Sequence, residues 1–267
     1  MLNLSANINI MHKTTILVSK LILKDFHEIT NLQVSSKSIN KFFSYTINNS
    51  MQLFRKELSK ARPDWIIKIN DDKDEEINTK DKYFFIVNPI DGIENFKNGI
   101  PHFSISVAIL YNSEIIGATI YDPMQNEFFF SEKGKGAFLN GKRIRVSGNK
   151  KIEESVFSVN KSLIKESLNT EKSDENKKMI KIINRLYSLR HFGASSLDLA
   201  WVACGRINGF FASNTNIHEV SSGSLIIREA GGFISDFESN HNIFKNRKII
   251  ATNSYIHGKI LMEFKKN

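Results

Sequence analysis

The sequence predicts a mixed α/β fold built in layers, and three observations carry that prediction. Apolar residues recur at helical spacing over residues 7–29 and again from about 47 to 61. A continuous apolar strand and a run of alternating strands with short turns fill the middle. Helices and strands then alternate through the last third. The 267 residues, 41% hydrophobic and 24% charged, have the composition of a globular protein and suffice for a full core without disulfide staples. They read as one unit with approximate halves 1–147 and 148–267.

Each element follows from local chemistry. Ile10, Thr14, Ile16, Leu17, Leu21, Ile22 and Phe26 place a long amphipathic helix between Asn7 and Ile29. Met51, Leu53, Phe54 and Leu58 mark a second from about Ile47 to Ala61, ended by Pro63. A short strand lies within 64–69, and the very polar run 70–82 is an exposed loop. Residues 83–87 (Tyr-Phe-Phe-Ile-Val) form a buried strand that stops at Asn88-Pro89, because proline cannot serve a central ladder. Strands at 103–111, 114–121 and 127–132 follow, with turns at Asn112-Ser113 and 124–126. Gly134, Gly136 and Gly141 mark a further hairpin within 133–145, and this antiparallel run excludes a purely parallel sheet. A strand at 156–159 comes next, then a charged helical stretch, with 165–178 polar enough for a loose surface loop. The remainder reads as helix 195–204, strand 209–212, helix 220–229, strands 232–236 and 248–251, and helix 254–264.

Cys204 is the only cysteine. That excludes an intramolecular disulfide and, with no secretory pattern in the polar N-terminus, points to a reducing cytoplasm. No apolar run is long enough to span a bilayer. The formal net charge of +9 suits nucleic acid or another acidic partner. The lysines are spread along the whole chain, however, so charge alone decides nothing.

Three segments carry a more specific signal. The first is Asn88-Pro89-Ile90-Asp91-Gly92-Ile93-Glu94-Asn95-Phe96, continued by Gly99-Ile100-Pro101-His102-Phe103. The second runs from Tyr121-Asp122-Pro123 to Gly134-Lys135-Gly136-Ala137-Phe138-Leu139-Asn140-Gly141. The third is His218-Glu219-Val220-Ser221-Ser222-Gly223, leading to Arg228-Glu229-Ala230-Gly231-Gly232. In this order and spacing they resemble the inositol monophosphatase family over essentially the whole chain, and within it the bacterial extragenic-suppressor (SuhB-type) branch. The resemblance implies a layered αβαβα sandwich, a homodimer, and a phosphatase site using Mg²⁺. Such a hard ion seeks carboxylate and water oxygens, clamps the phosphate and makes hydroxide from bound water. Backbone N–H groups at a helix start, here from Gly92, would receive the phosphate.

Carried over position by position, the resemblance puts the family's metal-binding and catalytic Glu at Asn70, beside the surviving acid Asp71. The first motif Asp falls at Asn88, the carbonyl ligand at Ile90, and the second Asp is kept as Asp91. The Thr that orients the attacking water is Ile93, and the Asp of a Trp-Asp pair is Glu219. Gly92, Ile93, Glu94 and Ala212 fall at substrate-binding positions, Ile47 at a further Asp, and Lys37 at a lysine near the site. Each departure has a cost. Asn70 and Asn88 offer neutral oxygens in place of charge, and Ile93 offers no oxygen. The extra methylene of Glu219 moves its oxygens by over about an ångström where metal distances tolerate ~0.2 Å. Glu94 would set its own carboxylate in the first helical turn and repel phosphate.

Plainer roles stand beside these. Asp91 also suits a helix N-cap and Lys37 a solvated lysine. His218 suits a packed replacement for the family's Trp, and Cys204 a core residue. Ser195, Ser196 and Asp198 with His191 are packing and capping residues, not a hydrolase triad. The acids within 71–76 read as a solvated loop able to bind a cation weakly. The resulting expectation is a family protein with a degraded site, Mg²⁺ weak or absent, acting as a binding or scaffold protein with a protein or RNA partner in transcription. The alternative is an active Mg²⁺-dependent phosphatase of inositol monophosphate or a related sugar phosphate.

Overall fold

Two 26-residue helices, α1 (Ala6–Asn31) and α2 (Ser36–Ala61), open the chain. The computed structural model describes residues 4–31, 36–69, 79–168, 173–240 and 243–265. The second helix starts well before the predicted Ile47. Phe43 and Thr46 are buried, and the Thr46 hydroxyl donates to the Asp25 carboxylate at 2.6 Å, so tertiary contacts extend it. Most of the predicted polar loop 70–82 lies outside the described residues.

The first sheet joins β1 (Ile66–Ile69), β2 (Tyr83–Asp91), β3 (Ser104–Tyr111), β4 (Glu114–Asp122), β5 (Glu127–Glu132), β6 (Gly136–Leu139) and β7 (Lys142–Arg143) in sequence order, with only β1–β2 parallel. A single turn of helix, α3 (Ile93–Lys97), lies between β2 and β3. Positive φ at both Asn112 and Ser113 forms the tight β3–β4 turn. Contrary to expectation, β2 does not stop at Asn88-Pro89. Pairing with β3 shifts register between Asn88 and Asp91 and resumes at Asp91–Ser104, so the proline sits in the irregularity where no ladder donor is needed.

The second half holds β8 (Val156–Val159), α4 (Lys161–Leu168), α5 (Asp174–Ile183), β9 (Ser188–Arg190), α6 (Ser195–Ala203), β10 (Gly209–Ala212), α7 (Ile217–Glu229), β11 (Gly232–Ser235), α8 (Ile243–Asn246), β12 (Ile249–Asn253) and α9 (Ser254–Lys265). Its sheet has the order β11-β12-β10-β8-β9. The expected loose loop at 165–178 is corrected. Residues 165–168 finish α4, and Ser173 caps α5 by accepting the Asn176 N–H. The polar face of α5 is solvated, while Met179 and Ile182 are buried.

Alternation along the strands yields the layers. Phe85, Val87, Val107 and Ile109 face α1 and α2. Phe84, Ile86, Ala108 and Leu110 face the opposite way and share a core with α6, α7, Phe210 and Ala251. On the far side of the second sheet, Phe157, Phe211 and Ile250 pack with Leu163, Met179, Ile256 and Ile260 of α4, α5 and α9. The outcome is the αβαβα sandwich. Strands covered on both faces explain the unbroken apolar runs.

Candidate functional site

The irregular end of β2, the start of α3, the ends of β8 and β9, and the first turns of α4, α6 and α7 enclose one cavity of about 630 Å³. Asn88, Ile90, Asp91, Gly92, Ile93, Glu94 and Glu219 all line it, so two motifs more than a hundred residues apart meet as the resemblance requires. Gly92 adopts φ +90°, and a Cβ there would meet the His102 carbonyl at 3.0 Å and the Ala194 Cβ at 3.2 Å. Only glycine fits that turn.

Asp91 is buried, and its Oδ2 accepts the Ser196 N–H at 2.6 Å. It does cap a helix, but the helix is α6, across the cavity. The N-cap of α3 is Gly92, which has no side chain to offer. Burial, then the charge of Glu219, push the Asp91 carboxyl up to about 7. Glu219 is raised by burial and closes a capping box. Its backbone N–H donates to Asn216 Oδ1 at 3.0 Å, and its Oε2 accepts the Asn216 N–H at 3.3 Å. The Ser196 hydroxyl also donates to the Glu219 carbonyl at 3.0 Å, tying α6 to α7.

Asp198 corrects the sequence reading. It does not serve as a cap. It lies on the cavity wall, 1% exposed, with Oδ1 lacking a hydrogen-bond partner among the described residues. Burial and the neighbouring Asp91 charge raise it well above the carboxylate range. The available signal was an acid inside the otherwise apolar run Leu197–Ala203. Asn160, Lys161, Lys165 and Asn214 also line the cavity and were not singled out. No motif announces them, because α4 and the turn after β10 reach the site only through the fold.

The remaining expected positions divide into residues outside the described set and residues placed away from the cavity. Asn70 and Asp71, and the side chain of Lys37, lie outside the described residues. Ala212 is fully buried in β10 and is absent from the lining, which Asn214 reaches two residues later. Ile47 packs in the core under α2. His191 does line the cavity, yet its Nδ1 is 2.9 Å from the Val159 carbonyl, and the Ser196 hydroxyl is engaged with Glu219, so no triad forms. His218 is buried at the start of α7, as a packed replacement would be.

Asn88, Asp91, Asp198 and Glu219 bring side-chain oxygens to the cavity wall and are among the groups that could hold Mg²⁺ there. Among the described residues no three His, Cys, Asp or Glu side chains are arranged to hold a metal ion. Asn88 presents a buried, unpartnered Oδ1, an apt but neutral ligand atom. Asp91 Oδ2 and Glu219 Oε2 are each engaged by one backbone N–H group. At the cavity edge, one amide joins two walls. Asn95 Nδ2 donates to the His102 carbonyl at 2.8 Å and to the Phe192 carbonyl at 2.7 Å.

Comparison with known proteins gives a consistent result. The model of the inositol monophosphatase family matches residues 4–267. The inositol-1-monophosphatase of Rhizobium meliloti (strain 1021) is 33% identical over 255 residues, 94% of this chain and 93% of that one. The Nus factor SuhB of Escherichia coli (strain K12) is 30% identical over 250 residues, 92% and 91% of the two chains. The crystal structure of extragenic suppressor protein SuhB from Bartonella henselae matches with a TM-score of 0.83 at 31% identity, covering 98% of this chain and 100% of that one.

Proposed function

The chain belongs to the inositol monophosphatase family, and from that premise we propose that its phosphomonoesterase site is impaired and that it acts as a binding or scaffold protein. The observation that carries this reading is the cavity wall itself. Asn88 and Ile93 stand there, a neutral amide and a hydrocarbon, where the resemblance calls for a metal-binding carboxylate and a water-orienting hydroxyl. Magnesium then binds weakly, because Asn88 brings no charge to the site and Asp91 and Glu219 each have one carboxylate oxygen engaged by a backbone N–H group. Relatives named Nus factor support a protein or RNA partner in transcription. A cytoplasmic homodimer forming one structural unit completes the reading. Among the described residues no helix is long and apolar enough to cross a membrane.

A second reading rests on Asp91, Asp198 and Glu219 sharing one cavity. With Asp71 they would supply the acids of an active phosphatase acting on inositol monophosphate or a related sugar phosphate. Phosphate release from inositol monophosphate by purified protein with millimolar Mg²⁺ separates the two. The impaired site gives no Mg²⁺-dependent release above background. Turnover in the usual enzymatic range of about 1–10³ s⁻¹ overturns it.

A further inference from the structure

We propose that the strap between the two sheets, with two exposed rings beside it, is a binding surface for single-stranded RNA. Residues 142–151 read Lys-Arg-Ile-Arg-Val-Ser-Gly-Asn-Lys-Lys, five cations and no acid. After β7 this segment crosses from the first sheet to the second. The Ile144 N–H donates to the Ala137 carbonyl and the Val146 N–H to the Ala230 carbonyl. Asn253 Nδ2 donates to the carbonyls of Ser147 at 2.8 Å and Asn149 at 2.7 Å. The small and apolar residues face inward on these anchors, while Lys142, Arg143, Arg145, Lys150 and Lys151 are exposed. Among the described residues, only Lys151 of these has a carboxylate ion-pair partner, Glu154. The other nearby acids are spoken for, Glu153 by Arg185 and Glu229 by the Gly134 and Gly136 N–H groups.

The rings give the strap its specificity. Tyr255, in the first turn of α9, is 52% exposed with the Lys150 ammonium 4.6 Å from its ring centre. One turn on, Lys259 Nζ donates to the Lys150 carbonyl at 2.7 Å. Phe233 is 48% exposed on the edge strand β11 and pairs in register with Thr252, three residues before Tyr255. These two half-exposed rings set open aromatic faces beside exposed cations. Backbone phosphates neutralise the cations, and unstacked bases cover the rings. A duplex hides its base faces, so the rings select single strands. Free single strands in a cell are chiefly RNA. None of these residues lines the cavity. The surface therefore deepens the binding role proposed above without depending on how the cavity performs, and RNA binding and phosphate release are read in separate assays.

The test is fluorescence anisotropy of the full chain with a labelled 12-nucleotide RNA of mixed sequence. The log of the binding constant should fall with the log of salt concentration with a slope of about −3 to −4, as four to six phosphates imply. Lys142→Glu, Arg145→Glu and Lys150→Glu together should weaken binding at least tenfold. Lys13→Glu, Lys20→Glu and Lys24→Glu on α1 make the same change in net charge and should leave it within twofold. Tyr255→Leu and Phe233→Leu should each weaken it roughly tenfold, and Tyr255→Phe should restore it. The proposal is overturned if the parent protein does not bind at 50 mM salt, if the two charge triples act alike, or if duplex or DNA of the same sequence binds tighter. It is overturned equally if polyglutamate binds as well with no dependence on the rings, which would point to an acidic protein instead.

Discussion

Burial and the facing Glu219 raise the Asp91 carboxyl from its ordinary 3.8 to about 7. Within that window the folded chain keeps a proton that the unfolded chain has released. Stability contributed by the protonated group is therefore fully present below 3.8 and is lost as pH rises through about 7. At about 1.4 kcal/mol per unit, the loss amounts to a few kcal/mol. Asp91→Asn removes the titration and still accepts the Ser196 N–H. With chelator present, the variant should melt several degrees above the parent at pH 8, with the gap closing toward pH 4. A gap that does not change with pH would show that the carboxylate is compensated in the folded state. At this scale the sequence was informative wherever a residue acts within its own motif, as Gly92 does. It misjudged Asp198 as a packing or capping residue and was silent on the bond from Asp91 to Ser196, because a side chain's partner across 105 positions is set by tertiary packing.

Helices α6 and α7 carry two of the cavity's acids, Asp198 and Glu219, and their separation depends on one glycine. A Cβ at Gly223 would meet the Leu199 Cβ at 2.4 Å and Cδ1 at 2.5 Å, so Gly223→Ala must push α7 off α6. Denaturant unfolding should show a loss of about 1–3 kcal/mol. A loss under about 0.5 kcal/mol would mean that the helices yield freely. Asn216→Ala breaks the capping box at the head of α7 and should cost about 1 kcal/mol in the same measurement. Helix α1 was legible from its apolar face, and the β3–β5 run from apolar stretches of strand length bounded by turn residues. The first half of α2 was not, since Phe43, Thr46 and Asp25 meet only when two helices pack. Nor was α5, whose polar composition hides two buried anchors, or the continuation of β2, where an irregularity accommodates a proline that would otherwise end the strand.

At the scale of the whole molecule, the mixed α/β class follows from apolar strands and amphipathic helices that the sequence shows, while the αβαβα layering came from the family resemblance. If the site is impaired as proposed, it needs several groups at once, and its failure should be collective. Asn88→Asp alone restores one charge while Ile93 still offers no oxygen, and Ile93→Thr alone orients a water that no well-held ion activates. Residues acting as a unit are strongly non-additive. Each single reversion should therefore be nearly inert in the phosphate-release assay. Asn70→Glu, Asn88→Asp, Ile93→Thr, Glu94→Thr and Glu219→Asp together should produce Mg²⁺-dependent turnover, with Ile47 and Ala212 the next positions to restore. Full activity from Asn88→Asp alone would contradict a collective defect. Binding to the native state raises stability by RT ln(1 + [L]/Kd), so millimolar Mg²⁺ should move the parent's melting temperature little. The combined variant should shift by several degrees.

The side-chain amide of Asn95 works as a rivet. Its Nδ2 engages the carbonyls of His102, in the first half of the chain, and Phe192, in the second, and these two banks of one seam stay joined while both bonds hold. The edge of the cleft is thus pinned at one point. Hydrogen–deuterium exchange should find the backbone amides near 102 and those near 192–196 released in a single cooperative breathing event. Asn95→Asp, which turns carboxylate lone pairs toward both carbonyls, should speed exchange on the two banks by the same factor. Acceleration of one bank alone would show that the rivet holds only one side.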